Sequence, residues 1–435
     1  MISASWRTRT AALGTVVLVA LTAVACSSTN SSSTTTTSGG GSGGSPIPAS
    51  AMSDHTGITS TSVNVANVST LTGGLFKGAG VGVQAYTDYV NSTGGVNGRK
   101  ITVDAGDDNF TGAGNKQATQ NAISNDFAMV GNFSLEDSFG GALLAQNPGM
   151  PDVSQVLDSA TNKLPNVFSP VPLNDGWQEG PMQYFKQKFP QDISAVGSLV
   201  ADEPSAAATW DGEKYVMEKV GYKLIYDDTY AVTQGDFTQN VIQMKDLGVK
   251  ILFIDQMPAN YASSVLKALD QQNFHPQVVL GAATYSDTLV AASGGPSAVN
   301  GDYLSQNSSL YLGQDATAIP AVGTFLHWVN VASPGFQSDL FTLYGWLSAE
   351  LFAQALKNAG SDPSRGSLLQ ALSKTTEFDG DHIVAPTDPA AKSTSNCYLE
   401  AQVVNGDFQR VDDPPVNSST NGYRCDYSYV TQPGT

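Results

Sequence analysis

The stretch of sequence that decides the fold runs from residue 62 to residue 108 and reads SVNVANVSTLTGGLFKGAGVGVQAYTDYVNSTGGVNGRKITVDAGDD. Residues 63–68 alternate apolar and polar side chains, which predicts a half-buried strand. Residues 78–90 carry apolar side chains at helical spacing, and the glycine pair at 94 and 95 ends that helix. A second strand is predicted at residues 100–104. The segment is therefore a strand–helix–strand unit, the building block of a parallel sheet.

The same alternation of strands and helices continues along the chain and then restarts. A short apolar run at residues 127–130 completes the first series, and a second series begins near residue 195. We expect an α/β fold of two doubly wound parallel-sheet lobes, whose strand ends face each other across a cleft. A long apolar helix is predicted at residues 340–359. In the second series we predict strands at residues 195–200, 222–227, 251–254 and 277–280, and helices at residues 210–220, 236–247 and 261–271.

The first 26 residues have the pattern of a bacterial export signal. Arg7 and Arg9 precede an uncharged, mostly apolar run (residues 11–25) that is too short to span a bilayer as a helix. The run ends in LTAVAC, which resembles the bacterial lipobox, and the resemblance implies cleavage before Cys26 and diacylglycerol on its thiol. Plain secretion with an incidental cysteine is the alternative. The Ser-, Thr- and Gly-rich residues 27–45 predict a flexible tether.

Composition limits the class of partner. Loss of the two signal arginines from the 21 basic residues, against 39 acidic residues, gives the mature chain a net charge of −20. Nucleic acid and anionic lipid repel such a chain, so we expect no nucleic-acid partner and membrane association only through the lipid anchor. About 375 residues follow the tether, which suits two lobes better than one core.

The chain has three cysteines. With Cys26 assigned to lipid, Cys397 and Cys425 are an even pair in an exported chain, where disulfides persist. A bridge between them would contribute roughly 3.5 kcal/mol through chain entropy. The four histidines lie far apart in the sequence and show no metal-ligand spacing, so we predict no metal site and no cofactor.

Several motifs resemble those of a known family. GGVNGRKI at residues 94–101, followed by the acidic pair Asp107 and Asp108, resembles the branched-chain amino-acid-binding family of type I periplasmic binding proteins. The resemblance covers roughly residues 62–412. Further matches occur in order at Gly131, VFSP (167–170), GDF (235–237), residues 344–349 and ALKNAG (355–360).

The resemblance implies a function as well as a fold. It implies two lobes joined by crossing strands, capture of a small solute in the cleft between them, and delivery to the permease and ATPase subunits of an ABC importer. It implies no catalytic residues, and we expect a monomer anchored at the outer face of the cytoplasmic membrane. The expected division is a signal peptide at 1–25, a tether at 26–60, lobe 1 at 61–172, lobe 2 at 173–307, a return to lobe 1 at 308–375, and a return to lobe 2 with a disulfide-stapled tail at 376–435.

The expected ligand loops differ from those of the amino-acid-binding relatives. Relatives have serines and threonines after the third strand, where this chain has SLEDS at residues 134–138. Asp202–Glu203 replaces a tyrosine–glycine pair, and Asp255–Gln256 stands where relatives have a glutamate for the amino group. Fold and transport role therefore carry over, whereas amino-acid specificity does not. Several carboxylates in one cleft would make it negative, so we expect a polyhydroxylated, amide-type or amine-bearing solute.

The candidate ligand residues follow predicted strands. Backbone amides at the first turn suit a polar or anionic group. Acids near helix starts are equally typical of caps, and tyrosines are equally typical of core packing. We predict ligand contacts from Thr72, Gly73, Gly74, Phe133, Ser134, Glu136, Asp137, Asp158, Asp202, Glu203, Tyr230, Asp255, Gln256 and Tyr285.

Two other functions fit parts of the sequence. A ligand sensor that signals to a membrane partner has the same fold, and permease and ATPase genes beside this gene would distinguish transport from sensing. An exported α/β hydrolase is disfavoured because no histidine is paired with a nucleophile motif. We therefore predict a binding protein and not an enzyme.

Overall fold

The computed structural model describes residues 47–172, 176–254 and 257–431. The predicted signal peptide, Cys26 and most of the tether lie outside the described residues, as do Asp255 and Gln256. Within the described ranges, no helix is both long enough and apolar enough to cross a membrane.

Strands and helices alternate over most of the described chain. The strands are β1 Ser62–Ser69, β2 Lys100–Asp107, β3 Ala128–Val130, β4 Asp152–Val153, β5 Val167–Phe168, β6 Gly176–Gln178, β7 Val196–Ala201, β8 Leu224–Tyr230, β9 Ile251–Ile254, β10 Gln277–Gly281, β11 Tyr303–Gln306, β12 Leu399–Val404, β13 Asp407–Arg410 and β14 Tyr429–Thr431. The helices are α1 Lys77–Ser92, α2 Gly112–Asn125, α3 Asp137–Gln146, α4 Ser159–Asn162, α5 Glu179–Lys188, α6 Pro204–Val220, α7 Thr238–Leu247, α8 Ala259–Gln271, α9 Leu289–Ala292, α10 Pro296–Val299, α11 Pro320–Ala332, α12 Leu340–Asn358 and α13 Arg365–Leu372.

Five parallel strands form the first sheet, in the order β2-β1-β3-β4-β5. Strand β1 lies between β2 and β3, with Ser62 opposite Lys100 and Val65 opposite Ala128. Most of β1 is buried, as expected for a parallel strand covered on both faces. The strand order reverses at β1, and sheets of this type bind ligands outside the carboxyl ends of their strands at such a point.

Seven strands form the second sheet, in the order β13-β12-β11-β10-β9-β7-β8. Strands β7 to β11 are parallel, whereas β12 and β13 are antiparallel and lie at one edge. Every residue of β9 is buried, and successive residues, such as Leu252 and Phe253, belong to different hydrophobic clusters. The two parallel-sheet units confirm the fold class predicted from the strand–helix pattern.

Two helices from distant parts of the chain pack against each other beside the first sheet. Helix α1 lies against α12, and glycines let their backbones approach closely. A Cβ atom at Gly82 would collide with the carbonyl oxygen of Thr342, and one at Gly345 with that of Ala79. The glycines of α1 therefore allow the second half of the chain to return to the first sheet.

Three segments connect the two sheet units, and hydrogen bonds join them to one another. They follow β5, follow β11 and precede β12. Thr387 Oγ1 in the third segment donates to Pro170 O in the first at 2.8 Å. Ala385 N donates to Asn307 O in the second segment at 2.8 Å. The predicted crossing segments are thus confirmed, and we call them together the crossing bundle.

The C-terminal tail contains the predicted disulfide between Cys397 and Cys425. Strand β14, near the end of the described chain, pairs antiparallel with β6, with Tyr429 opposite Gln178. The tail is thus bonded to the strand through which the chain enters the second unit.

Candidate functional site: a cavity between the two sheets

A cavity of about 120 Å³ lies where the two sheet units meet. Part of its lining belongs to the first unit, through Val171 and Pro172 after β5 and Tyr344 on α12. Another part belongs to the second sheet, through Phe253 at the end of β9 and Ser305 near the end of β11. The cavity therefore has the position that parallel α/β sheets favour for ligands, beside the carboxyl ends of strands.

The rest of the lining comes from β6, α5 and the tail. Trp177 on β6 and Met182 on α5 line the cavity from the start of the second unit. Thr394 and Tyr429 line it from the two sides of the disulfide-bonded tail. Residues far apart in sequence thus enclose one space, and four of the lining side chains are aromatic: Trp177, Phe253, Tyr344 and Tyr429.

An aromatic cluster supports the cavity on the side of the first sheet. Tyr344 stacks on Phe133, with 6.2 Å between ring centroids. Phe133 packs edge-on against Phe76 at 4.7 Å, and both rings contact Phe341 at 4.8 Å. Such packing restricts the rotamers of buried rings, so Tyr344 presents a defined surface to the cavity.

Neutral polar groups in the lining are bonded to groups behind it. Ser305 Oγ donates to Glu400 Oε1 at 3.1 Å, and burial together with the neighbouring Asp413 raises the pKa of the Glu400 carboxyl well above its usual value. Gln306 Nε2 donates to Ser309 O at 2.9 Å, while its Oε1 has no hydrogen-bond partner among the described residues. The acid behind the lining is therefore favoured in its neutral form.

The predicted residues after β3 are involved in structure within the first unit. Asp137 accepts hydrogen bonds from Leu157 N at 2.6 Å and from Asp158 N at 3.1 Å, and burial raises its pKa to about 6. The Ser134 hydroxyl donates to the buried carboxylate of Asp108. Glu136 is half-buried and directly precedes α3.

The predicted residues after β1 form a turn in which Thr72 and Gly74 donate hydrogen bonds to groups of the first unit. Thr72 Oγ1 donates to Asp107 Oδ2 at 2.5 Å, and Thr72 N donates to Oδ1 of the same residue at 3.2 Å. Gly74 N donates to Leu71 O at 2.9 Å. Thr72, Gly73 and Gly74 are exposed. Their geometry is that of an ordinary turn at the start of a helix.

Three further predicted acids lie at other helix starts. Asp158 Oδ2 caps α4 by accepting from Thr161 N at 2.7 Å. Asp202 is exposed, and its backbone N donates to Tyr230 O at 2.8 Å. Glu203 is half-buried and directly precedes α6. Capping, the alternative that the sequence left open, is observed directly for Asp158.

The two predicted tyrosines belong to the core of the second unit. Tyr230 is 1 % exposed and packs against Phe237 and Tyr261, with ring centroids 5.5 and 5.2 Å away. Tyr285 is fully buried against Tyr311 at 4.9 Å, and its hydroxyl donates to Gln314 Oε1 at 2.6 Å. Packing in the hydrophobic core accounts for the burial of both rings.

No predicted ligand residue that the structure describes lines the cavity, although Phe133 contacts it indirectly through Tyr344. Asp255 and Gln256 lie outside the described residues, directly after the strand that carries Phe253. Sequence reasoning missed Trp177, Tyr344 and Tyr429. For Tyr344 a signal existed, because a tyrosine near the start of an apolar helix lies in a stretch that resembles the family.

Comparison with known proteins identifies the family. The model of the periplasmic binding protein family matches residues 62–407. The chain belongs to the periplasmic binding protein family. The relative named Leu/Ile/Val-binding protein homolog 1, from Brucella suis, is 25 % identical over 287 residues, which are 63 % of this chain and 71 % of the relative. The resemblance predicted from GGVNGRKI and the motifs after it is thus confirmed.

Solved structures have the same fold. The branched-chain amino acid transporter substrate-binding protein LivJ of Streptococcus pneumoniae, solved with isoleucine, has a TM-score of 0.64 and 16 % identity, covering 81 % of this chain and 99 % of LivJ. A fatty acid ABC transporter substrate-binding protein of Thermomonospora curvata has a TM-score of 0.67 and 15 % identity, covering 88 % of this chain and 95 % of its own. At these identities the likeness establishes the fold of this family member.

Proposed function

We propose that this periplasmic binding protein captures a small solute in the cavity between its two sheet units and delivers it to the permease and ATPase subunits of an ABC importer. The observation that carries the proposal is the cavity itself, which both units and the crossing bundle enclose at the carboxyl ends of parallel strands. Family membership implies an exported, extracytoplasmic protein.

The proposed division into lobes follows the two sheets. Lobe 1 comprises residues 61–172 and 308–375, and lobe 2 comprises residues 173–307 and 376–435. A change in the angle between the lobes then requires only small backbone rotations in the crossing bundle, while each sheet stays intact. Closure around a solute would bring Tyr344 of lobe 1 and Phe253 of lobe 2 against it from opposite units.

The histidines support a binding role over a hydrolytic one. None of the four lines the cavity in the described part of the chain. His55 contacts Pro363 O at 3.1 Å, and His382 pairs with Asp379 at 2.6 Å on the surface. A serine hydrolase needs a histidine within hydrogen-bond reach of its nucleophile, whereas these contacts of His55 and His382 are to a backbone carbonyl and a carboxylate.

Calorimetry on refolded, solute-free protein tests solute capture. Leucine, isoleucine, valine and palmitate are suitable first solutes, because relatives and structural neighbours are named for such ligands. Binding of any of them at micromolar or lower concentration supports the proposal. Absence of heat with all four, together with no small molecule released when the purified protein is unfolded, would contradict it.

Anchoring through Cys26 is proposed from the lipobox and the tether. Replacing the lipid-bearing thiol in Cys26→Ala should move the protein from the membrane fraction to the medium, because the chain would keep no other predicted attachment. Retention of Cys26→Ala with membranes would contradict the lipoprotein assignment and leave solute capture intact.

A further inference from the structure

The C-terminal tail takes part in the cavity. Thr394, before the first cysteine of the disulfide, and Tyr429, after the second, both line the space between the sheets. The tail therefore does more than close the end of the chain, because its two arms contribute side chains to the lining on which the proposed function rests.

Three sets of bonds hold these arms in place. Strand β14 pairs with β6, which puts Tyr429 opposite Gln178 and Val430 opposite Trp177. Gln178 Nε2 donates to Ser395 O at 2.8 Å and to Cys397 O at 2.9 Å. The Cys397–Cys425 disulfide joins the two arms directly. The tail is thus built into the wall of the cavity by β-pairing, side-chain hydrogen bonds and a covalent bond.

The chemistry of the lining is neutral. The chain carries 39 acidic residues, yet among the described residues no charged side chain lines the cavity. Moving an unpaired charge from water into such a space costs several kcal/mol. Aromatic and aliphatic side chains, by contrast, gain free energy by burying apolar surface of a solute, at roughly 25 cal/mol per Å².

Gln306 contributes a neutral polar side chain to the lining. The buried amide oxygen of Gln306 has no hydrogen-bond partner among the described residues, although Gln306 contributes to the lining. A buried acceptor without a partner costs about 1–3 kcal/mol. A hydroxyl or amide donor on a solute would give this oxygen a partner.

We propose that the tail forms part of the wall of the solute site and that this site binds an uncharged solute. The solute has an apolar body about the size of a ring, in contact with Tyr429, Trp177 and Tyr344. It also has one hydroxyl or amide donor. This inference rests on the proposed function and specifies the class of solute that the cavity binds. It assigns Tyr429 as a specificity-determining residue.

Three matched probes test the solute class: benzyl alcohol, benzoate and benzylammonium. They share a ring and differ in charge. The mature protein labelled with 5-fluorotryptophan reports binding through the fluorine resonance of Trp177, assigned with Trp177→Phe. We expect benzyl alcohol to shift this resonance and to bind at least tenfold more tightly than either ion. Tighter binding of benzylammonium that is lost in Asp255→Asn would overturn the uncharged class.

Variants of two neighbouring tyrosines test the role of the tail. Tyr429→Ala should weaken benzyl alcohol binding about tenfold. Tyr427→Ala is the matched control, because Tyr427 lies on the same arm and its hydroxyl accepts from Gln187 at 2.9 Å outside the lining. We expect unchanged affinity for this control. Equal affinity in both variants would overturn the role of the tail.

The results of the two experiments distinguish failure of this inference from failure of the proposed function. If isoleucine or palmitate binds in calorimetry but no benzyl probe shifts the Trp177 resonance, the neutral ring-sized class is wrong and solute capture stands. If neither calorimetry nor the probes detect binding and no small molecule is released on unfolding, both proposals fail.

Discussion

The side-chain amide of Gln178 donates a hydrogen bond to the backbone carbonyl of Cys397 at 2.9 Å. This bond links the strand that opens the second unit to the disulfide-bonded tail. Trp177, the neighbour of Gln178, lines the cavity. The bond from Gln178 therefore connects the tail to the wall of the cavity.

Removing the disulfide should lower stability without abolishing the fold. The double variant Cys397→Ser/Cys425→Ser loses a chain-entropy contribution of roughly 3.5 kcal/mol. Each sheet also has a hydrophobic cluster that contains neither cysteine, so the far-ultraviolet circular dichroism spectrum should stay unchanged while the melting temperature falls by several degrees. Unreduced wild-type protein, unfolded and titrated with a thiol reagent, should show no free thiol from this pair. Two free thiols would contradict the bridge.

Asp137 should matter for stability and not for solute affinity. Its carboxylate accepts from two half-buried backbone amides, so Asp137→Ala leaves these donors without their partner, at a cost of about 1 kcal/mol. Urea unfolding measures this loss. Glu136→Ala, at the adjacent half-buried position, is the control and should change stability little. If Asp137→Ala loses solute affinity at unchanged stability, Asp137 contacts the ligand, as predicted from the sequence.

Glu350 should make the protein less stable as pH rises. Burial, with Asp381 and Asp379 nearby, raises the pKa of this carboxyl from 4.5 to about 8. Because the folded state holds the proton more tightly than the unfolded state, the free energy of unfolding falls between about pH 4.5 and pH 8 and then levels off. Glu350→Gln should flatten this slope in urea unfolding, whereas Glu377→Gln, on the exposed surface, should not. An unchanged slope in Glu350→Gln would contradict the assignment.

Thr387 should contribute to the crossing bundle. Its hydroxyl is buried and donates its one proton to Pro170 O at 2.8 Å, with Phe378 O as a second acceptor 3.2 Å away. Thr387→Val keeps the shape of the side chain and removes this donor, so the free energy of unfolding should fall by about 1–2 kcal/mol. Thr376→Val, at an exposed position, should have little effect. If the two variants are equally stable, the hydrogen bond from Thr387 to Pro170 does not contribute to the free energy of unfolding.

The sheets could be predicted from the sequence because their signals are local. Apolar alternation at residues 63–68 and the apolar run at 251–254 specify strands directly, and the structure has them at Ser62–Ser69 and Ile251–Ile254. The disulfide could be predicted because only two cysteines remained once Cys26 was assigned to lipid. Chain order and strand type then left few arrangements of the sheets.

The cavity could not be predicted in the same way, because it depends on contacts between distant segments. Tyr429 reaches the lining only through the pairing of β14 with β6. A carboxylate after a strand, such as Asp137, has the same sequence signal whether it faces a ligand or accepts from amides of its own lobe. Tyr230 at the end of β8 and Tyr285 after β10 have the sequence signal of cleft residues, yet both rings are buried in the core.

Native mass spectrometry of the protein isolated from its own cell envelope tests the central claim most directly. Wild-type protein and the Tyr427→Ala control should carry a bound small molecule in a ratio near one to one. The double variant Trp177→Ala/Tyr344→Ala, which removes two aromatic walls of the cavity, should carry none while keeping its folded charge-state distribution. A wild-type spectrum without bound solute, or a double variant that retains the same molecule in equal amount, would contradict solute capture in this cavity.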